Sequence, residues 1–98
     1  MGSEETYTLK YLPLVTQDIA QLDSYWSREI LSTIEGKLAT TPELYGAPLR
    51  QTLRGYRKLR VGDYRVIYRI EQKVVRIMGI IKRSSGYGMI EERIRRYT

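Results

Sequence analysis

The sequence contains no cysteine, no histidine and no phenylalanine, and only three of its 98 residues are proline. The missing cysteine and histidine exclude disulfides, thiolate nucleophiles, zinc-finger-type sites and histidine general bases. Any catalysis must therefore use Lys, Arg, Tyr, Ser, Thr or a carboxylate. No apolar run approaches the roughly 20 residues that a membrane helix needs. A chain without cysteine also fits a reducing compartment, so we expect a cytoplasmic protein with no membrane partner.

The sequence is rich in positive charge, and this charge is concentrated in its second half. The whole chain has 17 Lys and Arg against 11 Asp and Glu. Residues 1–48 carry three basic and seven acidic side chains, whereas residues 49–98 carry fourteen basic and four acidic ones, a net charge of +10. Such asymmetry predicts a polyanion-binding surface, and a solvated basic face without a ligand is the alternative.

The hydrophobic pattern predicts one small α+β domain over residues 1–98, in the order β-αα-βββ-α. We expect residues 1–5 to be disordered or to be an appended tail. A first strand is predicted at residues 6–11, followed by two helices rather than one, because Asp23 offers a cap between two apolar stripes.

Residues 42–55 contain two prolines and two glycines, so they are expected to form a loop. Strands are predicted at residues 57–61, 64–70 and 74–81, with Gly62-Asp63 as a two-residue hairpin turn. A short amphipathic helix follows. We predict a twisted, mainly antiparallel sheet with two helices packed on one face.

Strand alternation predicts that four cations share the face of the sheet opposite the helices. Arg65 and Arg69 alternate with core positions in one strand, and Lys58 and Arg60 do so in the strand before it. Because sheets twist, this face is expected to be a concave phosphate-binding surface, although a merely polar outer face is the alternative. The predicted nucleic-acid-binding residues are Arg54, Arg57, Arg60, Arg69 and Lys82.

A second cluster, Lys82-Arg83-Ser84-Ser85-Gly86-Tyr87, follows the last predicted strand. Two cations, two hydroxyls and a phenol at a strand end predict one edge of an active site. Tyr87 could stack on a base or transfer a proton, and packing on the C-terminal helix is the alternative.

Two segments, Gly55–Tyr68 and Ile80–Tyr87, resemble the RelE/ParE superfamily of type II toxins. The similarity rests on Gly55–Tyr68, which contains Arg-Val-Gly-Asp-Tyr-Arg-Val-Ile-Tyr, and on Lys-Arg-x-x-x-Tyr within Ile80–Tyr87. The preceding strand-helix-helix order extends the resemblance over nearly the whole chain. Matched by position, it implies catalytic roles for Lys58, Arg65, Arg83 and Tyr87. Tyr56 and Arg57 stand where relatives often have a second lysine, and Lys82 where many have histidine.

The RelE-like branch implies a ribosome-dependent endoribonuclease that needs no metal and no cofactor. The RNA 2′-hydroxyl would attack the adjacent phosphate, with Arg65 and Arg83 holding the phosphorane oxygens and Lys58 or Tyr87 taking the proton. The ribosome, through 16S rRNA contacts, would orient the mRNA. The alternatives are a ParE-like poison of DNA gyrase and an inactive RNA- or antitoxin-binding module.

The resemblance and the charge both imply a cognate antitoxin as partner. An acidic, disordered segment that folds on binding would complement the basic half, in a toxin–antitoxin hetero-oligomer. Release of the toxin would cause growth arrest under stress. We expect the antitoxin to cover the sheet or displace the C-terminal helix with Arg93, Arg95 and Arg96, which are otherwise a solvated helix end.

Overall fold

The structure, a computed structural model, describes residues 6–83 and 86–97, so the predictions for residues 1–5, Ser84 and Ser85 lie outside the described residues. The strands are β1 Thr8–Tyr11, β2 Ala47–Pro48, β3 Arg57–Val61, β4 Tyr64–Glu71 and β5 Val74–Ile81. The helices are α1 Pro13–Ala20, α2 Ser24–Thr33 and α3 Tyr87–Tyr97, and α2 continues into a π-helical turn, Ile34–Leu38. Within the described residues, no helix has the length and apolar character needed to cross a membrane.

The five strands form one sheet in the order β1-β5-β4-β3-β2. Strand β1 runs parallel to β5, and the other neighbours are antiparallel, which confirms the predicted α+β fold with a mainly antiparallel sheet. The structure contains one strand that was not predicted, β2, in residues 42–55, which were expected to form a loop. In this strand Ala47 pairs with Lys58. Two residues are too few to show alternation, and Pro48 is tolerated only because β2 lies at the sheet edge.

The first two helices are separate, as predicted, and they cover one face of the sheet. The Asp23 carboxylate caps α2 by accepting a hydrogen bond from the backbone N–H of Trp26 at 2.9 Å. The Trp26 ring lies 5.5 Å from the ring of Tyr64 and so joins α2 to β4. The fully buried core side chains include Val15, Ile30, Ile34, Val66, Tyr68 and Ile77.

Helix α3 lies on the opposite face, over β5. Gly79 pairs with Ile67 across the β4–β5 ladder, and a Cβ on Gly79 would overlap the Ile90 side chain of α3. Directly opposed residues share a face of a sheet. Therefore α3 covers part of the face that also carries Arg65 and Arg69, which explains why Ile67 is fully buried between these two arginines.

Candidate nucleic-acid interface

Four cations converge where the β3–β4 hairpin lies beside the end of β5. Arg60 and Arg65 are directly opposed in the β3–β4 ladder, and Arg65 also pairs with Ile81, the last residue of β5. Lys82 and Arg83 follow immediately. A cleft of 230 Å³ is lined by Arg60, Asp63, Arg65, Lys82 and Arg83, and we call it the cation cleft.

The local sequence explains how the cation cleft is built. Gly62 begins the hairpin turn with a left-handed φ of +61°, and this tight turn places Arg60 opposite Arg65. Arg65 Nη1 donates a hydrogen bond to the backbone oxygen of Lys82 at 3.3 Å, so the guanidinium is tied to the end of β5. The Nζ of Lys82 lies 5.8 Å from the ring centre of Tyr64, within reach of a cation–π contact.

The charge of the cation cleft suits an anion. Its four cations face one carboxylate, that of Asp63, and such crowding of like charge is relieved when an anion binds. Arginine guanidinium groups present paired N–H donors that match the oxygens of a phosphate. In residues 6–83 and 86–97, no three acidic, histidine or cysteine side chains come close enough to hold a metal ion.

Two of the predicted catalytic residues lie outside the cation cleft. Lys58 is half-buried and opposite Ile67, so it is on the same face of the sheet, further along the hairpin from Arg65. Tyr87 begins α3 and packs against the core. Its hydroxyl is buried and has no hydrogen-bond partner among the described residues. The alternative considered for Tyr87 was packing on the C-terminal helix, whereas the structure makes it the first residue of that helix.

Three of the predicted nucleic-acid-binding residues, Arg54, Arg57 and Arg69, are not in the cation cleft either. Arg57 is opposite Tyr68, on the face covered by α1 and α2, and its Nη1 donates to the backbone oxygen of Gly46 at 3.1 Å. The sheet therefore separates Arg57 from the cleft, as strand alternation alone would indicate. Arg54 is exposed just after the 3-10 turn Gln51–Leu53.

Arg69 lies on the same face as Arg65, four residues further along β4. Its guanidinium carbon is 5.4 Å from the ring centre of Tyr56, and its Nη1 donates to the Tyr56 hydroxyl at 3.4 Å. This hydrogen bond raises the pKa of Arg69 above its usual value. Its Nε is 3.5 Å from a carboxylate oxygen of Glu71, so Arg69 is held in place by its neighbours.

A buried ion pair between Asp18 and Arg93 was not predicted from the sequence. The two terminal nitrogens of Arg93 donate to the two carboxylate oxygens of Asp18 at 2.8 and 2.7 Å. Arg93 also donates to the backbone oxygen of Met78 at 3.0 Å, and Asp18 accepts from the backbone N–H of Ile80 at 3.1 Å. Strand β1 ends opposite Ile77, so the pair satisfies backbone groups of β5 that β1 does not reach.

The position of Arg93 differs from that of its two neighbours at the end of α3. Arg95 and Arg96 are exposed and contact Glu92, in agreement with a solvated helix end. Arg93 follows Ile90 by three residues, which places it on the buried side of the helix. This helical spacing was the available signal, but the sequence does not show which residue pairs with Arg93.

Comparison with known proteins gives consistent matches. Residues 9–87 match the family described as ParE toxin of type II toxin-antitoxin system, parDE. Toxin RelE of Mycobacterium tuberculosis is 31% identical over 91 residues, which are 91% of this chain and 94% of that protein.

Solved structures show the same fold. A chain of the toxin-antitoxin complex RelBE2 from M. tuberculosis is similar with a TM-score of 0.75 and 29% identity, over 80% of this chain and 99% of that one. A mutant of the E. coli toxin RelE in the free state gives a TM-score of 0.73 over 95% and 99% of the two chains. Its identity is 17%, so this second likeness shows the fold alone.

Proposed function

Because the chain belongs to the ParE toxin family of type II toxin–antitoxin systems, within the RelE/ParE superfamily, we propose that it is a ribosome-dependent endoribonuclease acting on mRNA. The observation that carries the proposal is the cation cleft, in which Arg60 and Arg65 are directly opposed beside Lys82 and Arg83. A phosphate of the RNA backbone is the anion that this group of cations fits.

In the proposed reaction, the 2′-oxygen of the RNA forms a bond to the adjacent phosphorus and the bond from phosphorus to the 5′-oxygen breaks. A cyclic phosphate and a 5′-hydroxyl result. Arg65 and Arg83 stabilise the charge that develops on the phosphorane oxygens. Arg65 suits this role because its hydrogen bond to the Lys82 backbone fixes one nitrogen and leaves the rest of its guanidinium for the phosphate.

The proton of the 2′-hydroxyl passes to a base and the 5′-oxygen takes a proton from water. The buried Tyr87 hydroxyl favours Lys58 for this transfer. A positioned acid or base raises the rate of a reaction by about 10²–10⁴-fold. Such a contribution is modest for RNA cleavage, so the ribosome would supply the remaining rate enhancement by orienting the substrate.

The partner that we propose is an acidic antitoxin. The net charge of +10 on residues 49–98 would be complemented by carboxylates, and the similar chain in the M. tuberculosis RelBE2 structure belongs to a toxin-antitoxin complex. An antitoxin segment bound over the cation cleft would exclude RNA and would also neutralise the positive charge of the cleft. Toxin and antitoxin would then form a hetero-oligomer.

The test uses Arg65→Ala and Arg83→Ala, each added as purified protein to a translation reaction, with mRNA cleavage mapped by primer extension. Each variant should lose about 10²–10³-fold in cleavage rate, as removal of one transition-state hydrogen-bond donor does. Circular dichroism should be unchanged, which separates a catalytic loss from a loss of folding. Arg28→Ala, an exposed arginine on α2, is the matched control and should cleave normally. Normal cleavage by both cleft variants would overturn the role of the cation cleft.

A second candidate function is inhibition of DNA gyrase. It is favoured by the family match, which is to ParE toxins. It is also favoured by the burial of the Tyr87 hydroxyl, because a buried hydroxyl does not reach the RNA to transfer a proton. A gyrase poison would cause growth arrest with DNA damage and without loss of mRNA, and it would inhibit purified gyrase. A protein that neither cleaves mRNA nor inhibits gyrase would be a binding module.

A further inference from the structure

We propose that a second pocket on the basic face binds an unpaired base of the RNA strand whose phosphate occupies the cation cleft. This pocket has a volume of 340 Å³ and is lined by Leu12, Tyr56, Glu71, Arg76, Met78 and Tyr97; we call it the tyrosine pocket. The inference rests on the proposed function in taking the strand to be RNA and its phosphate to occupy the cation cleft.

The shape and chemistry of the tyrosine pocket fit a flat aromatic ring. Leu12 and Met78, 8% and 2% exposed, are its buried apolar members. Tyr97 is 51% exposed at the end of α3, so its ring is free to stack on an incoming base. Tyr56 is only 5% exposed and already packs against the Arg69 guanidinium, so it forms the floor of the pocket. Bases stack on such side chains irrespective of sequence. The volume lies at the lower end of the range for small-molecule pockets, which suits a single base.

The charges around the tyrosine pocket favour a nucleic acid strand. Glu71 lies between two arginines, with its oxygens 3.5 Å from Arg69 Nε and 3.3 Å from Arg76 Nε. Two guanidinium groups against one carboxylate leave this end of the face with net positive charge. The negative charge of Glu71 is therefore compensated, and the phosphates on either side of a bound base meet a cationic rim.

The tyrosine pocket and the cation cleft lie towards opposite ends of the same face of the sheet. Arg65 and Arg69 share a face of β4, and four residues of strand separate them by about 13 Å. Lys58 lies between the two on the neighbouring strand, opposite Ile67. A single strand with a phosphate in the cation cleft would pass Lys58 before its base reaches the tyrosine pocket. This shared face, with Lys58 between the two sites, assigns the pocket to a base of the same strand.

The test measures base stacking with a strand that contains only one base. The probe is a single 2-aminopurine nucleotide flanked on each side by three abasic spacers, whose fluorescence falls when the base stacks. The strand carries no 2′-hydroxyl and cannot be cleaved, so the measurement is independent of catalysis. Wild-type protein should quench the probe. The Tyr97→Leu variant should bind it about tenfold more weakly and lose the quenching.

Two controls separate the base from the phosphates and from general changes in the fold. Tyr25→Leu removes a tyrosine that is 56% exposed on α2, on the other side of the sheet, and should bind like wild type. A strand made entirely of abasic spacers keeps the phosphates and removes the base. It should bind wild-type protein about tenfold more weakly than the probe, and Tyr97→Leu should cause no further loss.

Several outcomes would overturn the proposal. They are equal quenching by wild type and Tyr97→Leu, equal affinity for the probe and the abasic strand, or loss of antitoxin binding by Tyr97→Leu with quenching intact. Adenosine monophosphate bound as tightly as the probe would identify a free-nucleotide site instead. The translation assay keeps the two proposals apart, because quenching without mRNA cleavage would refute the endoribonuclease and retain the tyrosine pocket.

Discussion

Replacing Asp18 with alanine should destabilise the domain strongly, because it leaves the charge of Arg93 buried without its partner. The two side chains are 10% and 8% exposed, and they join α1 and α3 to the edge of β5. Among the described residues, no strand pairs with β5 beyond Ile77 on its β1 side, so the carboxylate is also the acceptor for the backbone N–H of Ile80.

The expected loss can be estimated from these contacts. Removal of one partner of a buried ion pair costs about 3–5 kcal/mol, since the remaining charge is uncompensated. An unsatisfied backbone N–H contributes part of the same loss. A domain of this size has about 5–15 kcal/mol of total stability, so Asp18→Ala would remove a large fraction. With a urea m-value of about 1–3 kcal/mol/M, the midpoint should fall by at least about 1 M.

The assay is urea denaturation followed by the fluorescence of Trp26, the single tryptophan of the chain. Glu92→Ala is the matched control, because Glu92 also contacts two arginines but does so on the surface. Its midpoint should not shift measurably, since exposed ion pairs contribute little. The double variant Asp18→Leu/Arg93→Met should recover much of the loss, because it removes both buried charges together.

The reasoning would be refuted by an Asp18→Ala variant whose midpoint and m-value match those of the wild type. Such a result would mean that α3 is held by its apolar contacts through Ile90 alone. A double variant less stable than either single variant would contradict the charge argument in a different way. It would show that the hydrogen bonds to Met78 and Ile80, rather than the unpaired charge, dominate the energy.

Two further predictions concern a buried phenol and a hairpin turn. Burial raises the pKa of Tyr68 to about 12, whereas the phenol of an unfolded tyrosine titrates near 10. The contribution of the neutral Tyr68 phenol to the free energy of unfolding is therefore complete below pH 10 and is lost as the pH rises towards 12. Urea denaturation from pH 9 to 11 should show this loss in wild type and a smaller one in Tyr68→Phe. Gly62→Ala would place a Cβ against Trp26 at a φ of +61°, and its unfolding free energy should fall by about 1–3 kcal/mol, measured by thermal denaturation.

The β3–β4 hairpin shows what local sequence patterns can predict. Strand alternation predicted that Lys58, Arg60 and Arg65 lie on the face of the sheet opposite α1 and α2, and Gly62-Asp63 predicted the turn. Both predictions were possible because the period of a strand and the conformation of a turn depend on a few neighbouring residues. The split between α1 and α2 was predicted for the same reason, from the cap at Asp23. Strand β2 was missed because its two residues exist as a strand only through pairing with β3.

The parts of the interface that could not be predicted depend on contacts between distant segments. The close approach of α3 to Gly79, where a Cβ would overlap Ile90, was not predicted from the sequence. Arg93 occupies the buried side of its helix, yet its partner Asp18 is 75 residues away in sequence. The tyrosine pocket likewise combines residues from five separate segments of the chain, so no local pattern reveals it.

The position of α3 links the buried ion pair to the basic face. Its eleven residues span about 15 Å, close to the distance of about 13 Å between Arg65 and Arg69 on β4. The helix begins beside Ile81 at the cation cleft, and it ends with Tyr97 in the tyrosine pocket. Arg93 fixes it between these ends. Loosening α3 would therefore withdraw the aromatic wall from the proposed base site while leaving Arg60 and Arg65 in place, because the β3–β4 ladder holds them independently of α3.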